Sequence, residues 1–303
     1  MGIAIVLGMH LNGLGMARSL GIKGIEVYGI DYTKDAEAFY SKYCKRKFIF
    51  PNPVVYPEEC LNQIINLGSN LADKAVLLPS NDYYTEFVSK YRADLSRHFL
   101  FNIPDAETLK SIFDKSRQYR LAEQLGIPFP RSYSPKNLRD LKESPLSYPV
   151  VIKGEKSDQW IAKFRKKGFI ANCLGELEEY YKLSSKKNLK VVIQEMVVGP
   201  NNNHYKVCAY YSQEKKLLAI FTTHKNRQFP VDLGIGTYMT SVYHSDLITL
   251  GRRFFEGIDY TGVGSIELKK DDRDGQFKLL ELNPRYWQQN IQATYNFPSE
   301  QTR

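Results

Sequence analysis

Residues 262–285, GVGSIELKKDDRDGQFKLLELNPR, decide how this chain is read. Two apolar runs, VGSIELK and QFKLLEL, are joined by the polar turn DDRDG, the composition of a β-hairpin with glycine at the end of its turn. Side chains alternate faces along a strand. Val263, Ser265, Glu267 and Lys269 are therefore expected on one face of the first strand, and Phe277, Leu279, Glu281 and Asn283 on one face of the second. If Glu267 and Glu281 pair across the hairpin, their Cβ atoms sit roughly 5–8 Å apart. Two carboxylates inside apolar strands repel each other and are costly to bury unpaired. A divalent cation between them removes both problems, and Mg²⁺ prefers carboxylate and amide oxygens completed by substrate phosphates. Glu267, Glu281 and Asn283 thus read as a Mg²⁺–nucleotide site. The plainer alternative is a solvated hairpin with one polar edge, since charged residues are mostly exposed. The Asn-Pro-Arg run behind Glu281, and a second half of a nucleotide site upstream, favour the metal reading.

An upstream glutamate followed by the run ELNPR resembles the ATP-grasp superfamily. The continuation Asn283-Pro284-Arg285-Tyr286-Trp287 is most similar to the carbamoyl-phosphate-synthetase-like and D-aspartate-ligase-like branch of carboxylate–amine ligases. The resemblance implies that Glu267, Glu281 and Asn283 hold Mg²⁺, for which Mn²⁺ can substitute. It also implies that Arg285 faces the reacting phosphate of ATP.

Upstream, the segment TTHKNRQFPVDLGIGT at 222–237 is a basic patch followed by a glycine-rich turn. It resembles the part of this branch that lines the γ-phosphate and acceptor site, which implies roles for Lys225 and Arg227 on an acyl phosphate. A basic surface turn is the alternative, and His224 reads as a solvent-facing histidine. The run VVIQEMVV at 191–198, closed by Gly199-Pro200, is a strand. By resemblance Gln194-Glu195-Met196-Val197 is the hinge that reads adenine: Met196 and Val197 sandwich the ring, while Glu195 and the Val197 amide meet its edge. Lysines from two subdomains approach the phosphates in this family, and they match Lys115, on the helix before the Gly126-Ile127-Pro128 break, and Lys153, at the end of the strand PVVIK. A lysine acts on phosphate as a flexible point charge.

Two departures from the family pattern stand out. The glycine-rich loop expected after the second lysine reads Gly154-Glu-Lys-Ser-Asp-Gln-Trp160, with one glycine. Ser157, Lys156 and Lys163 are candidates to do its work with side chains. The acidic residue that commonly contacts ribose after the hinge is replaced by Pro200-Asn201-Asn202-Asn203, where Asn202 can hydrogen-bond hydroxyls.

The N-terminus reads strand (IAIVL, 3–7), glycine-rich turn, helix, and strand ending in Asp31. That is the outline of a dinucleotide-binding unit. The spacing is not G-x-G-x-x-G, because Arg18 stands where the third glycine belongs. A generic start in which Gly13 and Gly15 permit a tight turn is preferred. A further strand, KAVLLP, precedes Ser80-Asn81-Asp82, which either meet a ligand at the sheet's carboxyl edge or cap the next helix. Residues 111–125 read as one helix.

Composition bounds the rest. The chain has 303 residues, 43% hydrophobic and 25% charged, which is ordinary for a globular protein of two or three units. A net charge of +9 favours anionic partners. No recognised nucleic-acid module accompanies that charge. The four scattered cysteines suggest neither zinc nor a disulfide framework and fit a reducing cytosol. No apolar run approaches the ~20 residues of a membrane helix.

The expected fold is α/β and α+β: an ATP-grasp fold preceded by a Rossmann-like N-terminal domain. The first domain is expected over 1–107 and the ATP-grasp domain over 108–303, with a lid at about 145–195 and a catalytic subdomain at about 200–303. The resemblance implies a cytoplasmic ATP-dependent ligase joining a small-molecule carboxylate to an amine, amino acids among the candidates, through an acyl phosphate. No nucleic acid or membrane is expected as partner, and a homodimer is compatible. The alternatives are a kinase or carboxylase on the same fold and a catalytically weak nucleotide-binding module.

Overall fold

The computed structural model describes residues 2–143, 145–155, 157–231 and 234–291; the side chains of Lys115, Ser116, Ser157 and Asp158 lie outside that description. Its strands form three sheets.

The first sheet contains β1 (Ile3–Leu7), β2 (Glu26–Asp31), β3 (Cys44–Ile49), β4 (Ala75–Pro79) and β5 (Phe99–Leu100), all parallel, in the order β3-β2-β1-β4-β5. Helices α1 (Leu11–Ile22), α2 (Pro57–Ser69), α3 (Asp82–Lys90) and α4 (Arg92–Leu95) accompany it. Parallel sheets are covered on both faces and carry near-continuous apolar strands. Accordingly Ala4, Ile5, Val6 and Leu7 are all buried. Polar groups collect at the carboxyl ends instead. Asn81 caps α3, its Oδ1 accepting from the Tyr84 amide at 3.0 Å, and Ser80 Oγ donates to the Gly8 carbonyl at 2.6 Å. Gly13 and Gly15 lie inside α1 rather than in a turn. A Cβ on Gly13 would stand 2.1 Å from the Gly8 carbonyl oxygen, and one on Gly15 2.7 Å from Asn290 Oδ1. Close packing explains both, so a dinucleotide site is not needed to account for them.

Helices α5 (Ala106–Phe113) and α6 (Lys115–Gln124) follow. The single helix expected over 111–125 is interrupted at Asp114, whose carboxylate accepts from the Arg117 amide at 3.1 Å. The second sheet, in the order β6-β9-β7-β8, contains β6 (Ser132–Tyr133), β7 (Val150–Gly154), β8 (Phe169–Ala171) and β9 (Val191–Glu195). Helices α7 (Leu138–Lys142), α8 (Ser157–Phe164) and α9 (Leu174–Ser185) join it. Residues 157–160, read as loop from sequence, open α8. Trp160 is fully buried against Phe164 and Phe169, with ring centroids 4.6 and 5.5 Å away, and that apolar anchor favours the helix.

The third sheet is antiparallel, in the order β12-β11-β10-β13-β14: β10 (His204–Tyr211), β11 (Leu217–Phe229), β12 (Ile235–Ser241), β13 (Gly262–Lys270) and β14 (Phe277–Asn283). Helix α10 (Ser245–Gly257) supplies Leu247, Phe254 and Phe255 to a core with Val207, Ala209, Tyr211, Ile266 and Leu268. The opposite face is left for polar groups. β11 runs 13 residues, so the basic patch around Lys225 is strand, not surface turn. The expected hairpin forms, with one correction. The register shifts beside Glu267, leaving Leu280 as an extra residue opposite the first strand. Leu279 therefore enters the core at 0% exposure instead of sharing a face with Glu281. A bulge re-aims side chains in this way.

Candidate active site

The open face of the third sheet carries the charged groups of the candidate site. Glu267 and Glu281 are direct cross-strand partners, and so are Ser265 and Asn283. On the other side of β13, Lys206 of β10 is the register partner of Glu267. The Lys206 ammonium lies 3.0 Å from a Glu267 carboxylate oxygen. Lys225 of β11 pairs with His204 and is 8% exposed. Like charges side by side on two strands are destabilising. Here lysines offset that repulsion: burial pushes the Glu267 carboxyl up, but Lys206 and then Lys225 outweigh it and hold it well below the ordinary range. Burial likewise pushes Lys206 down, and the Glu267 carboxylate overcomes it to keep the ammonium above its usual value. Lys225 stays below its usual value, because burial and Lys206 outweigh the pull of Glu267.

The set continues past β14. Asn283 Nδ2 lies 3.3 Å from a Glu281 oxygen, and Arg285 donates through Nη2 to Asn283 Oδ1 at 3.2 Å. Arg285 also donates through Nε to Asp82 Oδ1 at 2.6 Å, so the first sheet reaches into the site. Two carboxylates and an amide oxygen suit a hard cation that keeps its other positions for phosphate. No group of three or more His, Cys, Asp or Glu side chains with metal-binding spacing occurs among the described residues. The donor set of Glu267, Glu281 and Asn283 fits Mg²⁺ shared with a nucleotide, rather than a metal held by protein alone.

Two cavities meet at these carboxylates. One, of about 280 Å³, lies between the second and third sheets; Val151, Ile161, Met196, Val197 and Leu280 form its apolar end, and Lys153, Lys167, Lys225, Glu267 and Glu281 its charged end. The other, of about 300 Å³, continues from Lys167, Lys225, Glu267 and Glu281 to Asn283, Arg285, Asn12, Gly234 and Gly236. Among the described residues six basic side chains and three carboxylates line the pair, an imbalance that suits a polyanion.

Sequence-predicted residues fall into three groups. Lys153, Gln194, Glu195, Met196, Val197, Lys225, Glu267, Glu281, Asn283 and Arg285 all line these cavities. Arg227 and Asn202 are exposed and do not, Asn201 taking the cleft position instead. The side chains of Lys115 and Ser157 lie outside the described residues, as does Lys156, and Lys163 is exposed on α8. Two hinge side chains have work within the protein. Gln194 accepts from Lys153 Nζ at 2.7 Å and donates to Tyr119 Oη at 2.6 Å and Ser132 Oγ at 2.9 Å, which orients the lysine. Glu195 accepts from Arg131 at 2.6 Å and from the Ser147 amide at 2.8 Å, so its carboxylate braces the second sheet rather than projecting freely toward a base. Lys206, Lys269 and Lys167 are cleft residues that the motifs do not mark. The alternation of His204, Lys206 and Cys208 with Tyr205, Val207, Ala209 and Tyr211 carries the signal for the first.

No family model matches the chain. It is 27% identical over 315 residues to a D-aspartate ligase of Enterococcus faecium (strain Aus0004), covering 97% of this chain and 73% of that protein. An L-amino acid ligase from Bacillus licheniformis superposes with a TM-score of 0.68 at 15% identity, over 94% of this chain and 67% of the other. The N5-carboxyaminoimidazole synthetase of Staphylococcus aureus, solved with ADP, gives 0.68 at 15% identity, over 94% and 71%. The fold is that of the ATP-grasp carboxylate–amine ligases, and over 97% of its length the chain is similar to one of them; it is an ATP-dependent ligase forming C–N bonds.

Proposed function

We propose that this enzyme activates a small acidic carboxylate, D-aspartate being the first candidate, as an acyl phosphate and transfers the acyl group to an amine. The observation that carries the proposal is the meeting of an apolar-ended cavity and a second, arginine-ended cavity at Glu267 and Glu281. ATP fits with its base between Val151, Ile161, Met196, Val197 and Leu280, and its phosphates toward Lys153 and Lys225. A carboxylate oxygen of the acid in the second cavity attacks the γ-phosphorus, the bond to the β-phosphate oxygen breaks, and ADP leaves. The amine then attacks the acyl carbon, the amide forms, a proton is lost from nitrogen, and phosphate departs.

Glu267, Glu281 and Asn283 would hold Mg²⁺, which when bound supplies charge neutralisation between the phosphates. Lys225 and Arg285 stabilise the transferring phosphoryl group and the tetrahedral adduct. Lys206 keeps the two carboxylates adjacent before the nucleotide arrives. The second sheet with its helices acts as a lid, shielding the acyl phosphate from water. The D-aspartate assignment comes from the likeness to the enterococcal ligase, together with a second cavity lined by Lys167, Lys206, Lys225 and Arg285, which suits a dicarboxylate. Among the described residues no helix is long and apolar enough to cross a membrane. A cytosolic location is part of the proposal, in keeping with four free cysteines.

The test is ADP and phosphate release with Mg-ATP, with D-aspartate and then pooled amino acids and small carboxylic acids, each with and without amines. Glu281→Gln and Lys153→Ala serve as controls. Release that requires an acid and an amine together and vanishes in both variants supports the proposal. A phosphorylated acid that accumulates with every amine tested, and no amide, would refute it.

A further inference from the structure

One side chain beside the first sheet reaches the Arg285 guanidinium itself. Asp82 is the first residue of α3, directly behind the cap Asn81, at the carboxyl end of β4. Its two oxygens face one edge of the Arg285 guanidinium, with Nε at 2.6 Å and Nη2 at 3.5 Å. The other contacts of that guanidinium are longer and to neutral groups: Nη2 to Asn283 Oδ1 at 3.2 Å and Nη1 to the Tyr286 carbonyl at 3.3 Å. The pair is partly shielded, Arg285 being 21% and Asp82 47% exposed in their side chains.

From this geometry we propose that Asp82 is a positioning residue for Arg285, aiming the far edge of its guanidinium at the terminal phosphoryl group of the nucleotide. The inference rests on the reading of Arg285 as a phosphoryl-stabilising group. A guanidinium offers separate edges, each able to take a planar or tetrahedral anion through two N–H groups. Asp82 occupies the Nε–Nη2 edge with a short, charge-assisted bond. Among the described residues the Nη1–Nη2 edge holds two neutral contacts, both longer than the Nε bond, and these are the bonds an incoming phosphoryl oxygen can replace. The contact to Asn283 would also be given up if the Asn283 amide oxygen helped to hold a cation. After both changes Asp82 is the anchor that remains.

A lock that must open would predict the opposite order, with the shortest bond broken first. The loops around Asp82 are fixed to the same segment. Asn12 Nδ2 donates to the Ser80 carbonyl at 2.9 Å and to the Tyr286 carbonyl at 3.3 Å. The first sheet therefore sets the aim of an arginine borne by the third.

The experiment compares binding of Mg-ADP with that of Mg-adenylyl imidodiphosphate, which adds the terminal phosphoryl group, by calorimetry on the full chain. Asp82→Asn is expected to weaken the imidodiphosphate about five- to tenfold while shifting Mg-ADP less than about twofold. Arg285→Lys should show the same split, and the double variant should lose no more than Arg285→Lys alone. Asp82→Ser replaces the Asn variant if the latter fails to fold. Equal weakening of both nucleotides, no change in either, or additive losses in the double variant would overturn the role of Asp82. Should Arg285→Lys leave the ratio of the two affinities unchanged, the reading of Arg285 itself falls, and the inference with it.

Discussion

The first and third sheets have five strands each, yet they place their chemistry differently. The first is parallel and apolar along β1, and its polar groups sit at strand ends: Asp31, Ser80, Asn81 and Asp82. The third is antiparallel, with α10 on one face only, and its charges sit in mid-strand: Lys206, Lys225, Glu267 and Glu281. A sheet covered on both faces has only its edges and ends to offer a ligand. A sheet covered on one face can commit every second residue to function, at the cost of alternating strictly with the core. The proposed active site joins one arrangement to the other where Asp82 meets Arg285.

The largest expected effect tests the claim that mid-strand charges of the third sheet serve catalysis rather than folding. Glu281→Gln should lower acid-dependent ADP release by about 10²- to 10³-fold, the scale for removing a group that stabilises developing charge. The melting temperature should move by less than about 3 °C, because a neutral amide beside Glu267 removes a like-charge contact. A collapse of stability with turnover retained would break the comparison.

The next test uses two adjacent leucines that the bulge sends to opposite faces. Leu279→Ala should cost about 2–5 kcal/mol of stability in chemical denaturation, since the side chain is fully buried among Ile266, Leu268 and Leu282. Leu280→Ala should leave stability nearly unchanged and raise the KM for ATP roughly tenfold, because Leu280 lines the apolar end of the cavity proposed to hold the nucleotide.

These leucines also mark how far the sequence can be read. The run ELNPR and the hairpin were enough to bring Glu267, Glu281, Asn283 and Arg285 to one place. Alternation alone put Leu279 beside Glu281, because a bulge leaves no mark in a pattern of two. The shift follows from energetics: the fully buried Leu279 favours the core, and the register yields. Lys206 was legible in principle, as a lysine flanked by apolar residues in HYKVCAYY, but its partner Glu267 lies on a strand 61 residues away by number, so only the fold pairs them. Asp82 and Arg285 are 203 positions apart, and no local pattern links them. Gln194 and Glu195 were placed in the cleft by the hinge motif, whereas their bonds to Lys153, Tyr119, Arg131 and Ser147 depend on elements that only tertiary structure brings together.

A pH series sharpens the comparison further. Burial, then Lys225 and Lys269, push the His204 imidazole down to about 3. Its folded-state value is thus below the unfolded one near 6.5, so the unfolded chain takes up the proton first as pH falls. Stability should decline from about pH 6.5 toward 3, with a slope of up to about 1.4 kcal/mol per pH unit. Urea unfolding at pH 6.5, 5.5 and 4.5 measures the slope, and His204→Gln should flatten it. An unchanged slope in that variant would mean that burial and the two lysines do not hold His204 neutral as described.

The smallest effect lies at the junction of the two sheets. Gly15 sits in α1 where a Cβ would come 2.7 Å from Asn290 Oδ1. The Asn290 amide donates to the Trp287 carbonyl at 2.8 Å and the Asn12 carbonyl at 3.2 Å, and Asn12 in turn holds the Ser80 and Tyr286 carbonyls. Asn290 is a side chain that can give way, so Gly15→Ala displaces its amide rather than the helix, and the two hydrogen bonds are weakened together. That predicts a loss of about 1 kcal/mol in stability. ADP release should fall less than about tenfold, because Asp82 still reaches Arg285 by its short bond. If Gly15→Ala instead abolished turnover at unchanged stability, alignment of the first sheet on the catalytic segment would depend on the α1–Asn290 contact more than on the Asp82–Arg285 pair, and the order of importance drawn from the bond lengths would be reversed.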